Sequence, residues 1–393
     1  MRFLFIGLFF YISSVFSNPL ELDINAKNAI LINAKNNQVV FNKNAFDKAY
    51  PASLTKVITI WYVLEKYSDL LDKTFIASST ALKTIDPQEK KLSNYSLPPY
   101  TLESDGSSFD VILGEKLRLK DLLLGMMLPS GNDAANVVAE SLGGSIDSFI
   151  KDMNIFVSNN NIKATTLFNP HGLHFPEHAT TANDLAQITR KALENPKFLE
   201  IFSCKAFVRP RTNKQQRREI TTFNRLLKPG KNYYEYAIGG KTGYHEKAKY
   251  NLLSVAKCGD RTLIAVVMGC KNSEQRYEDT KKLFDAAFQE KMITKKLVEK
   301  EKVYSAKIPG GSKILKAKMQ NDLILEYYPS EETPYNVTIF WDDVSLPIKK
   351  DQKVASMIIK TADGEEIKTE GLYAVDNVKK SLFYIIRNLF SKG

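Results

Sequence analysis

The chain has 393 residues, 44% hydrophobic and 25% charged, a composition that excludes a disordered or fibrous chain and allows more than one buried core. The formal net charge is 55 − 44 = +11. No nucleic-acid-binding motif accompanies it, so the basic balance points to an anionic membrane or wall and not to nucleic acid. Cys204, Cys258 and Cys270 are odd in number and spaced for neither a metal site nor cross-strand pairing, so free thiols are expected.

In chain order, the first residues read as an export leader. Basic Arg2 precedes an apolar run over residues 3–12, and small residues end at Ser17, after which cleavage is expected. The competing reading is an uncleaved anchor, but the run is shorter than the ~20 residues that span a bilayer. Residues 18–290 then mix helical stretches at 52–66, 120–127, 133–142 and 183–193 with short strands, and 250–257 and 262–269 read as a hairpin about Gly259-Asp260. Helices and sheet are segregated, which places the chain in the α+β class. A charged segment at 291–302 leads into short β-branched runs such as Val337-Thr338-Ile339-Phe340, so residues 291–373 are expected to form a small all-β domain. Residues 374–393 read as an amphipathic helix with Val375, Val378, Leu382, Phe383, Ile385, Ile386, Leu389 and Phe390 on one face. Only Lys379 intrudes there, and the polar opposite face favours a helix lying at a membrane surface over one that spans it. The alternative is a helix docked on the β domain.

Three short motifs carry chemistry. Ser53 and Lys56 open a helix, and a spacing of three puts both side chains on one face, at an N-terminus whose dipole favours developing negative charge. A neutral Lys56 there could take the serine proton, although a lone S-x-x-K is more often a cap and a solvated lysine. Pro129-Ser130-Gly131-Asn132-Asp133 forms a corner between two helices. A hydroxyl and a carboxamide on a rigid corner can pass a proton and hold an amide, although alone the segment is more often turn punctuation. Gly239-Gly240-Lys241-Thr242-Gly243 reads as a glycine-marked edge strand along which a peptide could lie.

Serine with lysine, then Ser-x-Asn, then Lys-Thr-Gly, in this order, is the set shared by penicillin-binding proteins and class A β-lactamases. The chain resembles the serine D-alanyl-D-alanine carboxypeptidases (S11-type peptidases) among the low-molecular-mass penicillin-binding proteins. The resemblance extends from about residue 25 to the C-terminus, including Phe168-Asn169-Pro170-His171-Gly172-Leu173 and Asn224-Arg225-Leu226-Leu227. It implies a transpeptidase-type domain, an antiparallel sheet with helices on both sides, followed by the β domain and the terminal helix.

By the same resemblance Ser53 is the nucleophile, Lys56 its base and Ser130 a proton relay. Asn132 holds the substrate amide, Lys241 supports the relay, Thr242 and Arg276 meet the substrate carboxylate, and the N–H groups of Ser53 and Tyr244, beside Gly243, form the oxyanion hole. The resemblance implies peptidoglycan stem peptides and β-lactams as partners, no metal or other cofactor, and a place on the outer face of the cytoplasmic membrane. The rivals are a D,D-endopeptidase and a non-catalytic wall-binding protein.

The chain departs from the family pattern at His245 and Ala248-Lys249-Tyr250, where a threonine and Ala-Gly-Tyr are usual, and at a polar insertion over residues 84–104. Both bear on substrate preference and turnover. His171, His174 and His178 resemble metal-ligand spacing, but Pro170, Gly172 and Pro176 break any helix that could align them. Glu177 lacks the Glu-x-x-Leu-Asn surroundings of a β-lactamase.

Overall fold

The computed structural model describes the backbone of residues 9–12 and the whole of residues 19–361 and 364–384. It divides into one unit of Pro19–Gln289 and another of Met1–Asn18 with Glu290–Gly393.

The larger unit is built on a five-stranded antiparallel sheet. Its strand order is Ala237–His245, Lys249–Cys258, Arg261–Cys270, Asn28–Asn33, Val39–Lys43. Successive side chains of a strand point to opposite faces, and here both faces are covered. Leu263, Ala265 and Val267 pack with Leu283, Phe284 and Ala287 of the helix Ser273–Phe288. Ile264, Val266 and Met268 face a larger core with Val57, Ile58 and Trp61 of the helix Thr55–Tyr67. Strands buried on both faces lose the apolar–polar alternation of a half-exposed sheet, which is why the hairpin reads as two continuous apolar runs.

The expected helices form at Thr55–Tyr67, Leu119–Met127, Asn132–Gly143 and Ala182–Ala192, the first preceded by a 3-10 turn at Ala52–Leu54. The insertion is ordered: Thr84–Ile85 pairs in parallel with Leu102–Glu103 around the short helix Pro87–Leu92. Buried Lys90 joins its ends, donating to Glu103 Oε1 at 2.9 Å and to the Thr101 carbonyl at 3.2 Å. The three cysteines are free thiols.

The smaller unit is a sheet in the order Phe9–Ile12, Tyr335–Trp341, Lys353–Thr361, Glu366–Ala374, Leu315–Met319, Tyr304–Ala306. Alternate residues Tyr335, Val337 and Ile339 enter its core beside Met357, Ile359 and Leu372. Of the expected leader, only the backbone of Phe9–Ile12 is described, paired with Tyr335–Trp341 on the edge of this sheet.

The charged segment 291–302 holds a strand, Ile293–Val298, paired with Leu323–Tyr327, with Leu297 and Val298 packed against the domain core. One expectation is corrected here. The terminal helix does not begin at Ala374. Residues 366–374 are strand, and Val375 and Val378 donate backbone hydrogen bonds to the carbonyls of Lys316 and Ile348. Val378 is buried in the core, and helix starts only at Leu382. Ile385, Ile386, Leu389 and Phe390 lie outside the described residues. Among those described, no helix is long and apolar enough to cross a membrane.

Candidate active site

The serine turn is forced into shape by its neighbours. Ala52 adopts a left-handed φ of +49°, a conformation that costs a non-glycine residue roughly 1–3 kcal/mol and persists only where packing imposes it. Gly172, at φ +91°, supplies that packing from one side: a Cβ there would lie 1.8 Å from the Ala52 carbonyl. From the other side Gly243 approaches so closely that its Cβ would sit 2.9 Å from the Pro51 carbonyl and 3.2 Å from the Ser53 nitrogen. Asn251 holds the same turn, donating to the carbonyls of Tyr50 and Pro51 at 2.9 and 3.1 Å.

Lys56, fully buried, places Nζ 2.9 Å from Ser53 Oγ, 2.7 Å from Asn132 Oδ1 and 2.8 Å from the His171 carbonyl. The last two partners can only accept. A neutral amine has two N–H groups and one lone pair, so both hydrogens are committed to Asn132 and His171 and the lone pair is left facing the serine hydroxyl. Burial favours that neutral form, holding the Lys56 pKa well below its ordinary value, and the charge of Lys241 adds to the effect against the opposing pull of Asp133. The arrangement can deprotonate Ser53.

Ser130 also has a left-handed backbone, at φ +64°. Its Oγ accepts from Lys241 Nζ at 2.8 Å, and Lys241 also donates to the Thr242 carbonyl at 2.8 Å. Burial, then the neighbouring Arg276, lowers the Lys241 pKa to about 7. The corner is fixed by Gly131 N–H donating to the Gly125 carbonyl and Asn132 N–H to the Ser107 carbonyl, both at 2.9 Å. Asp133 receives the N–H groups of Phe109 and Val111 at 2.8 and 2.9 Å.

Ser53, Ser130, Thr242, Gly243, Tyr244 and Arg276 line one groove of about 420 Å³. Arg276 donates at 3.3 Å to the carbonyls of Gly243 and Asn251 and packs against Tyr250 and Tyr277. It is a buried cation whose hydrogen-bond partners are neutral, whereas Arg225, also on the groove, pairs with Glu274. Of the expected catalytic and substrate-binding residues, Ser53, Ser130, Thr242, Gly243, Tyr244 and Arg276 line this groove, and Lys56, Asn132 and Lys241 each bond to a residue that lines it.

Sequence reasoning missed the contacts of the His171 carbonyl and of Asp133, and the places of Phe223 and Lys228 in the groove lining. Backbone contacts across 115 residues, such as Lys56 with His171, leave no local signature.

The three histidines go separate ways. His171 accepts the Leu173 N–H at Nδ1 (3.1 Å), so its Nε2–H donates to the Tyr100 carbonyl (3.3 Å). His178 accepts the Phe168 N–H at Nδ1 (3.1 Å), so its Nε2–H donates to Thr55 Oγ1 (2.9 Å). His174 packs edge-on against Tyr50 and Tyr95. Among the described residues no group of three His, Cys, Asp or Glu could hold a metal ion. Glu177 is exposed and lines a different cavity, with Lys27, Lys48 and Lys247.

The sequence model for D-alanyl-D-alanine carboxypeptidase matches residues 14–272. The chain is 29% identical over 367 residues to D-alanyl-D-alanine carboxypeptidase DacF of Bacillus subtilis, covering 92% of this chain and 88% of that protein. It is 26% identical over 373 residues to DacC of Escherichia coli, with 92% and 86% covered. Among solved structures, penicillin binding protein 5 from Haemophilus influenzae shares the fold with a TM-score of 0.63 at 24% identity, over 92% of this chain and all of that one. The DD-transpeptidase of Streptomyces K15 superimposes with a TM-score of 0.59 at 26% identity, over 68% of this chain and 99% of that one. A serine, two buried lysines and a Ser-x-Asn corner meeting on one sheet edge, matched by a family model over most of the chain, lead to one conclusion: the chain belongs to the D-alanyl-D-alanine carboxypeptidase family of serine peptidases.

Proposed function

We propose that the protein removes the terminal D-alanine from peptidoglycan pentapeptides through an acyl-enzyme on Ser53. The observation that carries this reading is the position of Lys56 Nζ, 2.9 Å from Ser53 Oγ with two further partners that can only accept, so that the neutral form favoured by burial turns its lone pair to the serine hydroxyl. Lys56 takes the proton as Ser53 Oγ attacks the carbonyl between the two D-alanines. The N–H groups of Ser53 and Tyr244 receive the oxyanion, a contribution of ~3 kcal/mol per donor in such sites. Ser130, held by Lys241, gives its proton to the departing nitrogen as the C–N bond breaks. Asn132 orients the substrate amide, and Thr242 with Arg276 takes the terminal carboxylate. Water then cleaves the ester. A β-lactam acylates the same serine, but its leaving nitrogen stays tethered and obstructs the water.

The basic leader reading places the protein outside the cytoplasm, where its substrate lies. Leu382 and Phe383, 79% and 78% exposed, begin an amphipathic segment suited to the membrane surface, with basic groups that add attraction to anionic lipid. Peptidoglycan trimming at that surface connects the enzyme with cell shape. Purified protein incubated with a pentapeptide and with a cross-linked dimer tests the reading. Release of free D-alanine from the pentapeptide is expected. Cleavage of the dimer alone would make the protein an endopeptidase, and turnover of neither would leave it a wall-binding protein.

A further inference from the structure

Arg209 is buried, yet its terminal nitrogens go to neutral oxygens: Nη1 donates to the Phe109 carbonyl at 3.0 Å and Nη2 to Gln215 Oε1. Its Nε is buried without a partner. A buried cation held this way is unfavourable in itself, and such violations of ordinary burial concentrate where function requires them.

Its surroundings point to one purpose. The guanidinium lies over the Phe109 ring, 5.1 Å from its centroid. Phe109 is wedged against Gly125, in the helix before the Ser130 corner, and Gly131, within it: a Cβ on Gly125 would fall 2.5 Å from the ring, and one on Gly131 would fall 2.7 Å from Phe109 Cβ. The Phe109 N–H donates to Asp133, on the far side of the corner, so backbone and ring together brace the turn in which Ser130 holds its left-handed φ of +64°. Gln215 ties the clamp down, donating to the Asp110 carbonyl at 2.6 Å and to buried Glu115 at 2.8 Å.

We propose that Arg209 and Phe109 are positioning residues that hold the Ser130 hydroxyl where it delivers a proton to the leaving nitrogen. The inference rests on the catalytic reading above. The hairpin that carries Arg209, Ala206–Arg209 with Arg218–Thr221, is in this account a brace for the proton relay, acting through Phe109 without touching substrate.

The leaving group separates this role from general support of the fold. An amide nitrogen must be protonated as its C–N bond breaks, whereas a thiol, with a pKa near ~8.5, departs as a thiolate without help. Turnover is measured for an acyl-D-alanyl amide and for the thioester of the same acyl group, with Arg209→Met, Phe109→Leu and the unaltered chain, beside a melting temperature for each. The variants are expected to lose about tenfold or more in amide turnover, the scale at which small misplacements act, and little on the thioester. Equal losses on both substrates, or none on either, would overturn the clamp. If Arg209→Met does not fold, Phe109→Leu carries the same comparison. An unaltered chain inactive on both substrates would instead overturn the catalytic reading.

Discussion

The two units of this chain solve different problems with their buried residues. In the smaller unit the core is apolar, and its buried polar residues among those described are Ser330, Glu331 and Thr361. The larger unit buries Lys56, Lys241 and Arg276 at or beside one groove, buries Arg209 against Phe109, and holds Ala52 and Ser130 at left-handed φ. Burying a cation and straining a non-glycine backbone both cost stability. The smaller unit follows the ordinary rule of apolar burial, and the larger unit departs from it around Ser53.

The comparison predicts opposite responses to truncating an interior side chain. Lys56→Met should slow acylation by about 10³-fold or more while the far-UV spectrum is unchanged; acylation within tenfold of the unaltered chain would break the contrast. In the smaller unit, Ile359→Ala should cost about 2–5 kcal/mol of that unit's stability, read from its unfolding transition, and leave acylation untouched. Loss of acylation in that variant would mean that the two interiors are not functionally separate.

The pH responses sharpen the same point. In the proposed mechanism acylation needs neutral Lys56, so its rate should fall as pH drops through the lowered Lys56 pKa. Lys241 is the second cause of that lowering, so Lys241→Gln should raise the Lys56 pKa and move the limb to higher pH. A limb that stays in place would remove Lys241 from the account. His178 tests the cost of burial. Its pKa is lowered from 6.5 to about 3 by burial, then by His245 and His174. Between those values the unfolded chain binds more protons than the folded one, so stability present above pH 6.5 is lost as pH falls toward 3. His178→Asn should lessen that acid slope in denaturant titrations; an unchanged slope would contradict the assignment.

The smallest effect on catalysis is expected at the C-terminus. Because Val375 and Val378 belong to the β unit, ending the chain at Ser381 should release the protein from anionic vesicles in sedimentation and leave peptidase turnover on short peptides unchanged. A truncated chain that still pellets, with aggregation excluded, would put the anchor elsewhere.

What the sequence disclosed follows the reach of each signal. The Ser53–Lys56 contact is one helical turn apart and legible from spacing. The Ser130 corner and the Lys241 strand became legible through their order along the chain. The His171 carbonyl on Lys56, the Asp133 anchor and the Arg209 clamp join residues distant in sequence through backbone atoms or burial, which no local pattern encodes. Helix boundaries were legible to within a few residues where an apolar stripe faced a core. The start of the terminal helix was not, because the spacing of Val375 and Val378 fits a helical face and also fits two separate contacts with the β unit.

In the proposed mechanism Ser53 Oγ, activated by neutral Lys56, is the atom acylated. The most direct test is mass spectrometry of the protein after reaction with a penicillin and proteolysis. The added mass of the opened β-lactam is expected on the peptide containing Ser53, and none in Ser53→Ala. An adduct on another residue, or labelling that survives Ser53→Ala, would contradict that mechanism.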